Sequence, residues 1–417
     1  MPVMQTFPCN GRYYTPPDRP LAVLCLDGCS DEYLNAALAH QRMPHVAEMI
    51  LRGHRSVVRG ALPSFTNVNN TCIITGVPPA ITGISGNFFL DPETGEAVMM
   101  NSAAYLRCPT ILAAAAAAGR RVAIVTAKDK LCSILSHELS GTGSICFSAE
   151  KADQAKQDTH GIDDVESLVG LPTPPIYSAD ASVYVLRAGV ALIESGRADF
   201  LYLSTTDFIQ HKHAPEEEEA LAFMAAIDEQ VGRLLNLGAV VGATADHGMN
   251  AKNDASGRPN ILYLQECLDA QFGPGHRVIC PVTDPYVRHH GGLGSMVSVH
   301  VAPNTSAEKI AAWIAEQTGI TEVHDRIHAA HHLELPPDRI GDLVVLAGRD
   351  LVIGIRHEDH DLSQLNGSLR SHGGRYEEMV PMLLSERLQG THAQMASQDP
   401  RNFDIFDFTC HAGGNRP

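Results

Sequence analysis

Four short runs of apolar residues constrain this chain more than any other feature: residues 21–26, 121–126, 199–206 and 237–245. Each is nearly continuous rather than alternating, as in strands buried on both faces of a parallel sheet. Each also ends in polar chemistry. Asp27 and Gly28 follow the first, Lys128 and Lys130 the second, Asp207 the third, and Asp246-His247-Gly248 the fourth. Open α/β sheets bind ligands beyond the C-terminal ends of their strands. Helical stretches at residues 34–52, 113–118 and 180–194 alternate with the runs, so the expected class is α/β.

At 417 residues, 44% of them hydrophobic, the chain exceeds one minimal domain and can bury a large core. A different texture interrupts it late: a strand at 296–301, a helix at 306–317 and a strand at 342–346 read as a small inserted α+β lid. The expected division is a core of residues 1–268 and 362–417, with the lid at 269–361. Net charge is −17, spread along the chain, which argues against a nucleic-acid surface. The first twenty residues lack the basic and apolar regions of a signal peptide, and no apolar run approaches membrane-spanning length. Ten cysteines without a CxxC pair read as buried free thiols. The expectation is a soluble, reduced, cytoplasmic protein.

In residues 62–70, Leu-Pro-Ser-Phe-Thr-Asn-Val-Asn-Asn, a Pro-containing turn runs into Thr66, and from Asn69 the chain reads as a compact apolar helix that Gly76 closes, with Thr66 just before or in its first turn. Thr66 has two readings there. It is an N-cap, the commonest use of Thr before a helix, or a nucleophile beside a helix end that favours anions. The other polar residues also have plain readings: Asp27 as a turn residue, Asp207 as a cap with His211 on the surface, Lys128 and Lys130 as a solvated pair. If the chain stays extended after residue 126, the two lysines project to one side. His324, His328, His331 and His332 read as a solvated helix face. Taken together, Asp27, Asp207, His211, Asp246, His247 and His372 give three carboxylates and three imidazoles near one sheet edge. That donor set suits two borderline metal ions, zinc first, manganese or iron next.

The order Asp, Thr in a turn, D-x-x-x-H, D-H-G and a late H-G-G resembles the alkaline phosphatase superfamily, in its phosphodiesterase-type branch. Within it the chain is most similar to the phosphonoacetate hydrolases, on residues 127–131 (Ala-Lys-Asp-Lys-Leu), residues 284–291 (Asp-Pro-Tyr-Val-Arg-His-His-Gly) and the inserted lid. The resemblance implies a mostly parallel central sheet with helices on both faces. It implies one zinc ion on Asp207, His211 and His372, and another on Asp27, Asp246 and His247 that also binds the Thr66 oxygen. Thr66 becomes the nucleophile. Asn87, Lys128, Lys130, Arg288 and His289 fall on substrate-binding positions, with His290 leaving the register of the last two open. The implied substrate is a small anionic phosphonate, phosphonoacetate, cleaved to acetate and phosphate; a homodimer is compatible with this. Two dications, three carboxylates and a Thr66 alkoxide nearly cancel, so an anionic substrate needs the lysines. The alternative is a nucleotide pyrophosphatase/phosphodiesterase, which would stack a base on aromatics; this chain is 6% aromatic with one Trp. A phosphosugar mutase would share the metal core. A sulfatase is disfavoured by the lack of Cys-x-Pro-x-Arg, and a non-catalytic metal-binding module by the presence of a nucleophile.

Overall fold

A computed structural model describes residues 6–282 and 290–413. Its centre is a seven-stranded sheet. In chain order the strands are β1 (Leu21–Cys25), β2 (His54–Arg59), β3 (Val122–Thr126), β4 (Ile145–Ser148), β5 (Phe200–Ser204), β6 (Val240–Thr244) and β7 (Met379–Leu384). Across the sheet the order is β2-β7-β6-β1-β5-β3-β4. The run from β6 to β4 is parallel, while β7 lies antiparallel to both of its neighbours. The strands that the apolar runs predicted, β1, β3, β5 and β6, are buried at every residue, because helices pack on the sheet. The helix Ala179–Glu194 packs against β3 and β5, and Ile405–His411 against β1 and β6. No helix among the described residues is long and apolar enough to cross a membrane.

Two local expectations change. The stretch 34–52 is two helices, Asp31–Ala39 and Pro44–Arg52. Gln41 between them has φ 57°, and Pro44 begins the second helix, where its missing N–H costs nothing. After β3 the backbone does not stay extended. Residues Asp129–Leu131 form a 3₁₀ turn, so side chains two apart no longer share a side by strand alternation.

The region expected as an insert packs around a core of its own, which also takes in Leu264 and Leu268 from before residue 269. Residues Arg277–Ile279, Met296–His300, Ile320–Asp325 and Leu343–Ala347 form a four-stranded antiparallel sheet. Val297, Val299, Ile310, Ile314, Val345 and Leu268 close around it, separately from the main core. The histidines near residue 328 are on its outside. His324 pairs with Glu322 and His328 with Asp325, while His331 and His332 are exposed on the helix Arg326–His332. Among the described residues they join no metal-ligand group.

Candidate active site

Strand register builds the site. Thr244, Cys25, Ser204 and Thr126 are hydrogen-bonded neighbours across β6, β1, β5 and β3. Asp246, Asp27 and Lys128 each come two residues after those positions, and Asp207 three. The order of strands therefore becomes the order of charges along the sheet edge. Lys128 Nζ is 3.0 Å from Asp207 Oδ1 and 3.6 Å from Asp27 Oδ2. Gly28 turns the chain just past Asp27 at φ +71°, and a Cβ there would meet Asp207 Cβ at 2.8 Å. Only glycine allows that approach.

The three histidines share one arrangement. His211 Nδ1 lies 2.8 Å from the Arg370 carbonyl, His247 Nδ1 2.9 Å from Gly248 O, and His372 Nδ1 2.7 Å from Ser64 O. A carbonyl only accepts, so each Nδ1 carries the proton and each Nε2 is left to face the site. This is how metal-ligating imidazoles are held. His211 Nε2 lies 2.9 Å and His372 Nε2 3.8 Å from Asp207 Oδ2. His247 Nε2 lies 3.2 Å from Asp27 Oδ1 and 3.9 Å from Asp246 Oδ2. Ligand atoms of Asp27, Asp246 and His247 converge within 4.8 Å, as do those of Asp207, His247 and His372. His247 thus lies in both groups, its ring stacked 3.6 Å from that of His372.

Asp27 tests whether these donors fit a cation. It is fully buried, and neither carboxylate oxygen accepts a hydrogen bond among the described residues. A buried carboxylate held only by ion pairs, to His247 Nε2 at 3.2 Å and Lys128 Nζ at 3.6 Å, is costly, and the facing imidazole Nε2 atoms make it a ligand set. In the absence of a cation the cluster holds protons instead. Burial, and then the neighbouring Asp27, push Asp246 up to about 8. Burial opposes charge on His247, but Asp246, Asp27 and Asp207 outweigh it and raise His247 to about 10. Asp207 goes the other way: against burial, Lys128 and His211 hold it well below the usual carboxylate range. Burial, and then His247, keep His372 well below the ordinary imidazole value. Oxygen and imidazole donors without a thiolate fit zinc, manganese or iron.

Thr66 begins the helix α1 (Thr66–Thr75), with Phe65 as its N-cap. The helix starts three residues earlier than its apolar run implies. Thr66 is inside the first turn, so its hydroxyl does not cap the helix; Oγ1 instead lies 3.5 Å from His247 Nε2. Capping of the next residue falls to Asn87, whose Oδ1 accepts from the Asn67 amide at 3.1 Å. That bond fixes the Asn87 amide group, and its nitrogen makes no hydrogen bond among the described residues.

A ring of supporting residues escaped the motif reading. Asn70 is fully buried and donates to Thr66 O at 3.0 Å and to Asp246 Oδ2 at 3.1 Å. Its Oδ1 accepts from Tyr202 at 2.7 Å and Ser204 at 2.9 Å. The available signal was compositional: three asparagines at 67, 69 and 70, and three threonines at 66, 71 and 75, in a helix that is buried throughout. Lys130 is half-buried on the turn after Lys128. Arg288 and His289 lie outside the described residues. His290 is buried and stacks on His211 at 4.5 Å.

Comparison with known proteins shows the family and the fold. The family model for type I phosphodiesterase / nucleotide pyrophosphatase matches residues 21–375. The structure of phosphonoacetate hydrolase from Sinorhizobium meliloti with phosphonoacetate is 42% identical, covers 98% of this chain and 99% of its own, and superposes with a TM-score of 0.92. The same enzyme with phosphonoformate gives 0.93 at the same identity and coverage. Murine ectonucleotide pyrophosphatase / phosphodiesterase 5, in an inactive form with AMP, shares the fold at 15% identity, with 94% of both chains covered and a TM-score of 0.62.

Proposed function

The chain belongs to the type I phosphodiesterase / nucleotide pyrophosphatase family and, within it, to the phosphonoacetate hydrolases; from that premise we propose that it hydrolyses phosphonoacetate to acetate and phosphate with Thr66 as nucleophile. The observation that carries the reading is the position of Thr66 Oγ1. It is free of capping duty, at the N-terminus of α1, and faces His247 within the cluster of carboxylates and imidazoles.

In this reading Asp207, His211 and His372 hold one zinc ion and Asp27, Asp246 and His247 a second, with manganese or iron as less favoured occupants. When bound, the ions supply positive charge to the phosphoryl group and lower the pKa of the Thr66 hydroxyl. Thr66 Oγ1, having given up its proton to solvent, attacks phosphorus and the P–C bond breaks, its electron pair leaving on carbon. The neighbouring carboxylate delocalises that pair as an enolate. Lys128 and Lys130 hold the carboxylate end, and this is how an acidic protein accepts an acidic substrate. The Asn87 amide nitrogen and the first turn of α1 favour charge on the phosphoryl oxygens. The enolate then takes a proton and becomes acetate. Water attacks phosphorus of the phosphothreonine, releasing phosphate and restoring the hydroxyl. The ten cysteines are all free, which supports a reducing, cytoplasmic setting.

The test is phosphate release from phosphonoacetate, run beside an aryl nucleotide diester, with chelator and with added zinc. Release from phosphonoacetate that chelator abolishes and zinc restores supports the reading. Release mainly from the diester moves the function to a phosphodiesterase. Thr66→Ala is expected to retain bound zinc and lose at least about a thousandfold in kcat. Near wild-type turnover in that variant would remove Thr66 from the chemistry.

A further inference from the structure

Lys252 and Glu377 form an ion pair at 2.8 Å with both side chains fully buried. Among the described residues neither side chain hydrogen-bonds or ion-pairs with a candidate metal ligand side chain, and neither is needed by the mechanism above. Burying such a pair is expensive, and apolar residues often replace one without loss of stability. Its connections explain what it does. Glu377 O accepts from Gly248 N at 2.7 Å, on the loop that carries Asp246 and His247. Glu377 Oε2 accepts from Gly374 N at 3.0 Å, on the loop that carries His372. Glu377 Oε1 accepts from Asn250 Nδ2 at 2.7 Å. Asn250 and Ala251 pair antiparallel with Ser371 and Arg370, so the two loops are also laced by backbone. Lys252 Nζ then reaches the Arg349 carbonyl at 2.7 Å, in the inserted region, whose side chain returns to Asn250 Oδ1 at 3.1 Å.

We propose that Lys252 and Glu377 are positioning residues that hold the Asp246-His247-Gly248 and His372-Gly373-Gly374 loops in one register and tie that register to the inserted region through the Arg349 carbonyl. The proposal rests on the reading of those loops as metal-binding. Glu377 is the acceptor common to both loops. Lys252 makes a buried carboxylate tolerable there and, with its second contact, on the Arg349 carbonyl, fixes where the insert sits.

The test measures zinc affinity by competition with a chromogenic chelator, and unfolding of the zinc-free protein in urea, on the full chain. Lys252→Met is expected to weaken zinc by about tenfold or more, as loss of support to metal ligands does, and to lower the urea midpoint. The double variant Lys252→Met/Glu377→Leu is expected to regain the midpoint while zinc affinity stays at least tenfold weak, because Gly374 N–H has then lost its carboxylate acceptor and the Asn250 amide is left with the Tyr376 carbonyl alone. Recovery of zinc affinity together with the midpoint would show a pair that serves folding only, and would overturn the proposal. Should neither variant fold, Asn250→Ala decides: a loss of zinc affinity of about threefold or more supports the clamp, and wild-type affinity overturns it. Wild-type protein that binds zinc but ignores phosphonoacetate sinks the proposed function and leaves this inference standing. Wild-type protein that binds no zinc sinks this one.

Discussion

Replacing Asn70 by Ala separates a residue that builds the site from one that merely fills space in a helix. Asn70 is fully buried and makes four side-chain hydrogen bonds. Two losses matter little on their own: Thr66 O still accepts within α1, and Asp246 Oδ1 still accepts from Gly28 N at 3.2 Å and His247 N at 3.0 Å. The other two leave the Tyr202 and Ser204 hydroxyls buried without an acceptor. Each such orphan costs about 1–3 kcal/mol, so N70A should lose about 2–6 kcal/mol, out of the roughly 5–15 kcal/mol that a native chain has. Urea unfolding of the zinc-free protein reads this directly. At saturating zinc the loss should persist, because metal does not resupply an acceptor to Tyr202. A loss below about 1 kcal/mol would mean that water or a rotamer change satisfies both hydroxyls, and the claim that Asn70 couples α1 to β5 and Asp246 would fail.

Gly28→Ala should weaken zinc about tenfold or more in a chelator competition, because its Cβ has to displace Asp207, 2.8 Å away, at a backbone φ of +71°. Lys128→Met should raise KM for phosphonoacetate at least about tenfold while zinc affinity stays equal or rises, since the ammonium on Asp207 and Asp27 competes with a cation; weaker zinc binding in this variant would make Lys128 a support for the ligands. Zinc affinity should rise with pH between about 6 and 8. Without metal, Asp246 (raised to about 8) and His247 (raised to about 10) hold protons that the ion must displace, and fewer are held as pH climbs. A flat affinity across that range in isothermal titration would contradict the proton-holding cluster.

What the sequence made legible was local. Asp27, Asp207 and Asp246 follow apolar strands within two or three residues, so a run and its final carboxylate are read in one glance. His211 sits one helical turn after Asp207, and His247 is adjacent to Asp246. What it hid was whatever long-range contact decides. Asn70 meets Tyr202 and Ser204 from more than a hundred residues away. Local composition also misjudged α1: its first turn holds Thr66, Asn67 and Asn69, polar yet buried, because long-range partners satisfy them, Met100 O and Asn101 for Asn67 and Ala61 and Asn402 for Asn69. The extended reading after β3 failed for a related reason. Asp129 is drawn into a turn, with its amide on Glu150 at 2.8 Å and its carboxylate on Lys151 at 2.6 Å, partners that strand alternation cannot foresee.

The order of charges has a consequence for specificity. Along the strand ends, Asp246, Asp27 and Asp207 come first and Lys128 last, because β6, β1, β5 and β3 are adjacent in register. A ligand lying along that edge meets a cation-binding end and an ammonium end in a fixed sequence. Phosphonoacetate has the matching polarity, a phosphoryl group at one end and a carboxylate at the other, one carbon apart. A phosphoester without a second anion would leave Lys128 directed at Asp207 and Asp27, where, on the proposed reading, it opposes the metal ions. On that reading a substrate carboxylate that draws the ammonium away would strengthen both interactions at once, and the second anion would take part in catalysis as well as in recognition.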